Sequence, residues 1–272
     1  MTNLKFTKMQ ATGNDFVVVS NTNHKLQTTN YKLPGLAKKL CDRRFGIGAD
    51  GLLVLEKSKK SDFKMRIFNP DGSEAEMCGN GLRCAAVFAY KNKIASSDMS
   101  VETKAGILNA QVKKSLVKIK MTEPASVKLG LEVNADGQNY EVHYINTGVP
   151  HIVNYTDELE SIDVPDLGSQ LRYHGLFRPK GANVNFVKTK SKNSIQIRTY
   201  ERGVEAETLA CGTGAVASAI ISNMIMGTKS PVKVLTKGGL LKIYFKKNDN
   251  KFNGVFLEGE ASVVFEGSIS LA

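Results

Sequence analysis

The chain has 272 residues, with 37 Lys or Arg against 26 Asp or Glu and a formal charge of +11. Its 42% hydrophobic and 23% charged composition excludes disordered and low-complexity classes, and four cysteines do not make a disulfide scaffold. The length suggests two domains. No apolar run approaches the ~18 residues needed to span a bilayer, and the first twenty residues hold no signal core. The expectation is a cytoplasmic protein with reduced thiols and no membrane contact.

The predicted elements are mostly short strands. In chain order they are Leu4–Met9, Phe16–Ser20, Leu52–Leu55, Phe63–Phe68, Val101–Thr103, Val117–Met121, Gln138–Tyr144, Val184–Val187, Ile195–Tyr200, Val232–Leu235, Leu240–Phe245 and Val255–Leu257. Many alternate or are β-branched, and turn residues bound them. A helix over Leu33–Leu40 reads as amphipathic and exposed. Two further helices follow Cys78 (Gly79 to Asn92) and Cys211 (Gly212 to Gly227). The latter is apolar almost all round, which predicts burial. Helices of that kind among many strands imply an α+β layout, each helix wrapped by a curved sheet.

An internal repeat organises the chain. Arg66-Ile-Phe-Asn69 resembles Arg198-Thr-Tyr-Glu201, and Glu74-Ala-Glu76 resembles Glu205-Ala-Glu207. Cys78-Gly-Asn-Gly81 resembles Cys211-Gly-Thr-Gly214, and Thr103 to Leu108 resembles Thr236 to Leu241. The matches keep their order at offsets of 131 to 133 residues. Two copies of one domain are expected, with a boundary near Met121–Pro124.

In each copy a strand leads through a turn to Cys-Gly-x-Gly and then a helix. Glycines let backbone N–H groups approach a ligand closely, and a helix N-terminus favours a carboxylate. The same field lowers a thiol's pKa. Two such cysteines at equivalent places could face each other across a domain cleft. Inverting a carbon that bears an acidic proton needs a base on one face and an acid on the other. Two thiol groups can exchange those roles.

Other features carry less. Cys84 lies ~600° round the helix from Cys78 and reads as packing. Cys41 has no assigned role. Gly46 to Gly51 matches G-x-G-x-x-G, but a helix precedes it and a strand follows, the reverse of a dinucleotide site. His24, His143, His151 and His174 are scattered, and no zinc motif occurs. His151 reads as a loop histidine. Asn14, Asn69, Asn183, Glu201 and Arg202 sit at strand ends beside glycines, and as a set they offer groups suited to a zwitterionic amino acid. Arg202 can grip a carboxylate in a fork. The basic excess is mostly lysine, spread out and without interleaved aromatics, which reads as a solvated surface rather than a nucleic-acid site.

These motifs together resemble the diaminopimelate epimerase family nearly end to end. The resemblance rests on Lys8 to Phe16, Phe45 to Gly51, Phe68 to Ser73, Met77 to Gly81, Gly148 to His151, Gly181 to Asn183, Tyr200 to Gly203 and Ala210 to Gly214. It implies two pseudo-symmetric domains, each a β-barrel-like sheet around a central helix. The expected domains are 1–121 with 262–272, carrying Cys78, and 122–261, carrying Cys211. It implies cofactor-independent, metal-free interconversion of LL- and meso-2,6-diaminopimelate, serving lysine and peptidoglycan precursor synthesis, by a cytoplasmic homodimer. By similarity Cys78 and Cys211 are the two bases. Gly79, Asn80, Gly212 and Thr213 would hold the reacting carboxylate, Asn14, Asn69, Asn183, Glu201 and Arg202 would bind substrate, and His151 would assist near the reacting centre. Ala11, Gly51 and Val149 depart from residues common in the family.

Three other readings compete with this one. Proline racemase-like enzymes share the two-cysteine mechanism, but Tyr200 to Gly203 and Met77 to Gly81 favour the diaminopimelate reading. Phenazine-pathway isomerases lack the cysteine pair. A basic nucleic-acid-binding protein would show a steep loss of binding with salt.

Overall fold

The computed structural model describes residues 2–22, 32–249 and 251–271, so His24 lies outside the described residues. The chain divides into two compact units, Met1–Ile119 with Gly259–Ala272, and Lys120–Glu258.

The first unit contains β1 (Thr2–Ala11), β2 (Asn14–Ser20), α1 (Leu33–Cys41), β3 (Gly51–Glu56), β4 (Phe63–Phe68), β5 (Glu74–Ala75), α2 (Gly79–Lys91), β6 (Asp98–Thr103), β7 (Gly106–Lys113) and β8 (Leu116–Lys120). The last strand, β18 (Ser262–Leu271), returns to pair with β1. The sheet runs β18-β1-β2-β3-β4-β6-β7-β8. All neighbours are antiparallel except β2–β3 and β4–β6. Parallel neighbours need crossovers, and α1 and α2 supply them.

This explains β3, whose Gly-Leu-Leu-Val-Leu run is buried throughout. One face meets α1 and the other α2, so the strand reads as continuous rather than alternating apolar. Helix α1 is not the exposed helix that its sequence suggested. Leu36, Ala37, Leu40 and Cys41 are buried against Val17, Val19, Leu52, Val54 and Phe68. Helix α2 is buried from Asn80 to Ala89 and packs against β1, β2, β3, β4 and β7. Its alanines at 85, 86 and 89 let strands close around it.

The second unit repeats the pattern. It contains β9 (Ala125–Ala135), β10 (Gln138–Asn146), β11 (Pro150–Tyr155), α3 (Val164–Tyr173), β12 (Asn183–Ser191), β13 (Ser194–Glu201), β14 (Ala206–Thr208), α4 (Gly212–Met226), β15 (Val232–Thr236), β16 (Gly239–Asn248) and β17 (Lys251–Glu260). Neighbours run β9-β10-β11-β12-β13-β15-β16, with β11–β12 and β13–β15 parallel. Helix α4 is buried from Gly214 to Ser222 and packs among β10, β11, β12, β13, β15 and β16.

The registers repeat as well as the order. Phe16 pairs with Gly51 as His151 pairs with Asn183, and Leu52 with Phe68 as Val184 with Tyr200. Each copy carries the same clamp. Arg66 grips Glu74 through two nitrogens at 2.7 and 3.1 Å, with Lys104 at 3.6 Å. Arg198 grips Glu207 at 2.7 and 2.9 Å, with Lys237 at 2.8 Å. The clamps and the β4–β5 and β13–β14 registers make Glu74 the counterpart of Glu207. The sequence match of Glu74 with Glu205 is therefore two residues out of step. Glu205 instead pairs with Arg172 at 3.1 Å.

Candidate active site at two cysteine-capped helices

In the first unit Cys78 is the N-cap of α2, in extended backbone (φ −144°, ψ 121°), and its Sγ accepts the Gly81 N–H at 3.5 Å. The first-turn amides of such a helix lack intrahelical partners and aim positive potential outward. A Cβ at Gly79 would meet only Ile119 Cδ1, at 3.6 Å. Packing therefore does not require glycine there, whereas close approach of a ligand would.

A fixed polar network surrounds this cap. The Asn14 amide donates to Asp50 at 2.7 Å, which turns its Oδ1 toward the Cys78 thiol at 3.7 Å and the Asn80 amide at 3.4 Å. Asn80 Oδ1 accepts from Arg83 at 2.8 Å and from Thr12 at 3.3 Å, and Arg83 also donates to Thr12 at 2.9 Å. Thr12 reaches this position from a β1–β2 turn in which both central residues have positive φ, 49° for Thr12 and 84° for Gly13. A β-branched residue there is strained, and the network holds it. Arg83 is fully buried, and its Nε and Nη1 have no partner among the described residues.

Asp15 anchors the neighbouring turn. It meets Lys8 at 2.6 Å and Arg43 at 2.8 Å. Burial opposes its ionisation, but hydrogen bonds from Arg43 and Lys8 outweigh that and hold the carboxyl well below its ordinary range. Asn69 follows β4 and is held in its own turn by bonds to Ser73.

In the second unit Cys211 caps α4 in similar backbone (φ −119°, ψ 113°). It is 5% exposed, and its Sγ lies 3.4 Å from Thr213 Oγ1. The Thr213 carbonyl accepts from Thr147 at 3.0 Å. Thr147-Gly148 thus stands to Cys211 as Thr12-Gly13 stands to Cys78. Asn183 opens β12; its Oδ1 accepts the Arg202 N–H at 2.9 Å and its amide donates to Pro150 O at 3.1 Å. Glu201 ends β13, and burial pushes its carboxyl pKa up.

His151 is not a loop residue. It lies in β11, is 0% exposed, and burial together with the Arg202 charge pushes its pKa down to about 3. Its Nδ1 contacts Asn185 Nδ2 at 3.1 Å.

Each unit therefore gathers its own part of the expected set. Cys78, Gly79, Asn80 and Asn14 form one cluster in the first unit. Cys211, Gly212 and Thr213, with Asn183, Arg202 and His151, line the same end of the sheet in the second. Sequence reading missed Thr12, Arg83, Thr147, Asn185 and Thr199. The signal lay in comparing the copies: Arg83 stands opposite Val216, and Asn185 opposite Leu53. A polar residue in one copy at a buried apolar position of the other is not needed by the fold. No cluster of three or more His, Cys, Asp or Glu fit to hold a metal occurs among the described residues. A cleft of about 690 Å³ in the second unit, lined by residues between Asp136 and Leu167, contains none of the expected site residues.

The comparisons with known proteins agree with this architecture. The family model described as diaminopimelate epimerase matches residues 6–127 and 143–264. Among curated relatives, the diaminopimelate epimerase of Aquifex aeolicus (strain VF5) is 44% identical, covering 98% of both chains. That of Hydrogenobaculum sp. (strain Y04AAS1) is 43% identical, covering 97% of this chain and 98% of the relative. Among solved structures, a PhzF-family phenazine biosynthesis protein from Bacillus anthracis superposes with a TM-score of 0.77 at 17% identity, covering 99% of this chain and 100% of that one. A probable proline racemase from Agrobacterium radiobacter K84 does so at 0.69 and 15%, covering 99% and 93%. Those two share the fold; on the family match and the full-length identity to curated relatives, the chain belongs to the diaminopimelate epimerase family.

Proposed function

We propose that the protein interconverts LL- and meso-2,6-diaminopimelate without a cofactor, with Cys78 and Cys211 as the two acid–base groups. The observation that carries this reading is the equivalence of the two thiols: each is the N-cap of the central helix of its unit, followed by Gly-x-Gly. In this reading one cysteine, as thiolate, removes the α-proton from one face of the carbon. The other, as thiol, returns a proton to the opposite face, and the roles reverse with direction.

A positioned acid–base group supplies roughly 10²–10⁴ in rate. Enzymes usually exceed about 10⁶, so charge stabilisation must supply the rest. The amides of Gly79 and Asn80, and of Gly212 and Thr213, are preorganised donors for the negative charge that grows on the α-carboxylate when the proton leaves. Asn14, Asn69, Asn183, Glu201 and Arg202 then hold the remainder of the zwitterion, with the Arg202 guanidinium suited to a carboxylate. The reading places the enzyme in the cytoplasm, where cysteine thiols are kept reduced. No helix among the described residues is long and apolar enough to cross a membrane. A homodimer is expected from the family and is tested by light scattering.

The test of the activity is proton NMR of LL-diaminopimelate with reduced protein in D₂O. Growth of the meso isomer with deuterium at one α-carbon is the expected result. Absence of exchange with folded protein and free thiols overturns the reading; exchange on proline instead would move it to the proline racemase class.

A further inference from the structure

The first unit builds its β2–β3 register with Phe16 and Leu53 behind the helix cap, and a Cβ at Gly81 would lie 3.6 Å from the Phe16 ring and 3.2 Å from a Leu53 methyl. At the equivalent places the second unit has His151 and Asn185, both 0% exposed. The same register forms with apolar residues, so the fold does not need this polar pair.

The hydrogen bonds fix every proton in it. Asn185 Nδ2 lies 3.0 Å from the Ile152 carbonyl, which only the amide N–H₂ can face. Asn185 Oδ1 then accepts from Thr199 Oγ1 at 3.0 Å. The second Nδ2 hydrogen points at His151 Nδ1, 3.1 Å away, so Nδ1 is an acceptor. The ring is neutral, and its one N–H is at Nε2. That atom is buried and has no partner among the described residues. An unmet buried donor is destabilising and calls for an explanation by function or ligand. The His151–Asn185 pair belongs to the Cys211 half-site. His151 is in register with Asn183, which holds the Arg202 amide, and Asn185 Oδ1 abuts Gly214 in the first turn of α4.

We propose that Asn185 is a positioning residue for the reaction: it locks His151 as the Nε2–H tautomer, so that His151 is a neutral hydrogen-bond donor to negative charge at the Cys211 half-site and not a proton-accepting base. The role in turnover rests on the epimerase reading; the tautomer lock does not. The arrangement has no counterpart at Cys78, so the two thiols of a duplicated fold are served by different devices.

Imidazole ¹⁵N NMR of the resting protein tests the lock. The expected spectrum shows a protonated Nε2 and an unprotonated Nδ1, constant from pH 5 to 9. A ring protonated at Nδ1 overturns it, whatever the enzyme does with substrate. Kinetics test the donor role. Loss of a charge-stabilising donor lowers kcat by ~10²-fold, the fall expected for His151→Leu. His151→Gln, whose amide N–H lies near the place of Nε2–H, is expected to recover at least tenfold of that loss, because it donates but accepts no proton. Equal inactivity of folded His151→Gln and His151→Leu overturns the donor role. Asn185→Leu should lower kcat about tenfold with little change in KM and mix the tautomers. If that variant does not fold, Thr199→Val is the milder probe, and it should shift kcat in the same direction. Unchanged kcat in a folded variant with a lost tautomer signature also overturns the proposal. Failure of wild-type protein to exchange the α-hydrogen, with the Nε2–H tautomer present, would count against the substrate reading and leave the lock standing.

Discussion

Asn185 Oδ1 occupies the space that a side chain at Gly214 would need: a Cβ there would stand 2.2 Å from it. The amide cannot yield, because Thr199, Ile152 O and His151 hold its oxygen and nitrogen. Gly214→Ala is therefore expected to cost about 1–3 kcal/mol and to lower Tm by several degrees. Gly81→Ala, at the equivalent place, meets a flexible Leu53 methyl at 3.2 Å and should cost less. Thermal melts of the two variants side by side check this, and equal losses would contradict it.

Arg83 sets activity against stability. Its guanidinium is buried, and among the described residues it has no carboxylate within ion-pair distance and two nitrogens without a partner, yet it orients Asn80 and Thr12 beside Cys78. Replacing an uncompensated buried charge by an apolar group of similar shape is often neutral or stabilising. Arg83→Met should thus leave Tm unchanged or higher while kcat/KM falls about tenfold or more, since one donor-orienting contact is worth ~1–2 orders of magnitude at such a site. A large drop in Tm with kcat/KM retained would make Arg83 a structural residue instead.

Much of this was legible in the sequence, and what was not has physical reasons. The two capped helices stood out because the Cys-Gly-x-Gly turn and the buried helical run occur twice. Strand β3 stood out because burial on both faces makes it a continuous apolar run. Strand β9 did not, because most of its residues are exposed and its apolar signal is thin. Strand β18 was missed because its place in the first unit depends on pairing with β1, 252 to 269 residues away in the chain. Arg83 and Asn185 were missed because a single arginine in a helix or asparagine in a strand normally reads as a surface residue. The repeat of the capped helices sets Arg83 opposite Val216, and the strand registers set Asn185 opposite Leu53. Gly51, which departs from the family pattern, begins β3 with its Cα hydrogens against Phe16 and the Phe68 carbonyl.

The Asp15 cluster predicts an acid-side loss of stability. Its carboxyl is held below the ordinary value of 3.8 in the folded protein, against burial, by Arg43 and Lys8. A depressed carboxyl contributes its full stabilisation above the unfolded value and loses it as pH falls toward the folded one. The difference in stability between wild type and Asp15→Asn should therefore be largest at pH 6 and shrink steadily below pH 4. At pH 6 the variant also leaves Lys8, 7% exposed, without its carboxylate, a change worth about 3–5 kcal/mol when a buried pair is broken. Urea unfolding at pH 6, 4 and 2.5 measures it; a gap that stays constant with pH would remove Asp15 from the account.

The four cysteines should separate into two kinds. Burial pushes the Cys41 thiol up to about 11 and raises that of the fully buried Cys84 further still, so neither is a base near neutral pH. Cys78 and Cys211 instead cap helices whose N-terminal amides favour negative charge on the cap residue. Iodoacetamide at pH 8 should modify Cys78 first, since it is more exposed than Cys211, and leave Cys41 and Cys84 untouched in the native protein. Cys78→Ser and Cys211→Ser should each lower kcat by ~10²–10⁴, because a hydroxyl is a far weaker base than a thiolate. Cys41→Ala and Cys84→Ala should keep wild-type kcat while losing some stability through the small cavities they leave. Substantial activity in either serine variant would end the two-base assignment, and an inactive but folded Cys84→Ala would mean that the chemistry had been placed on the wrong thiol.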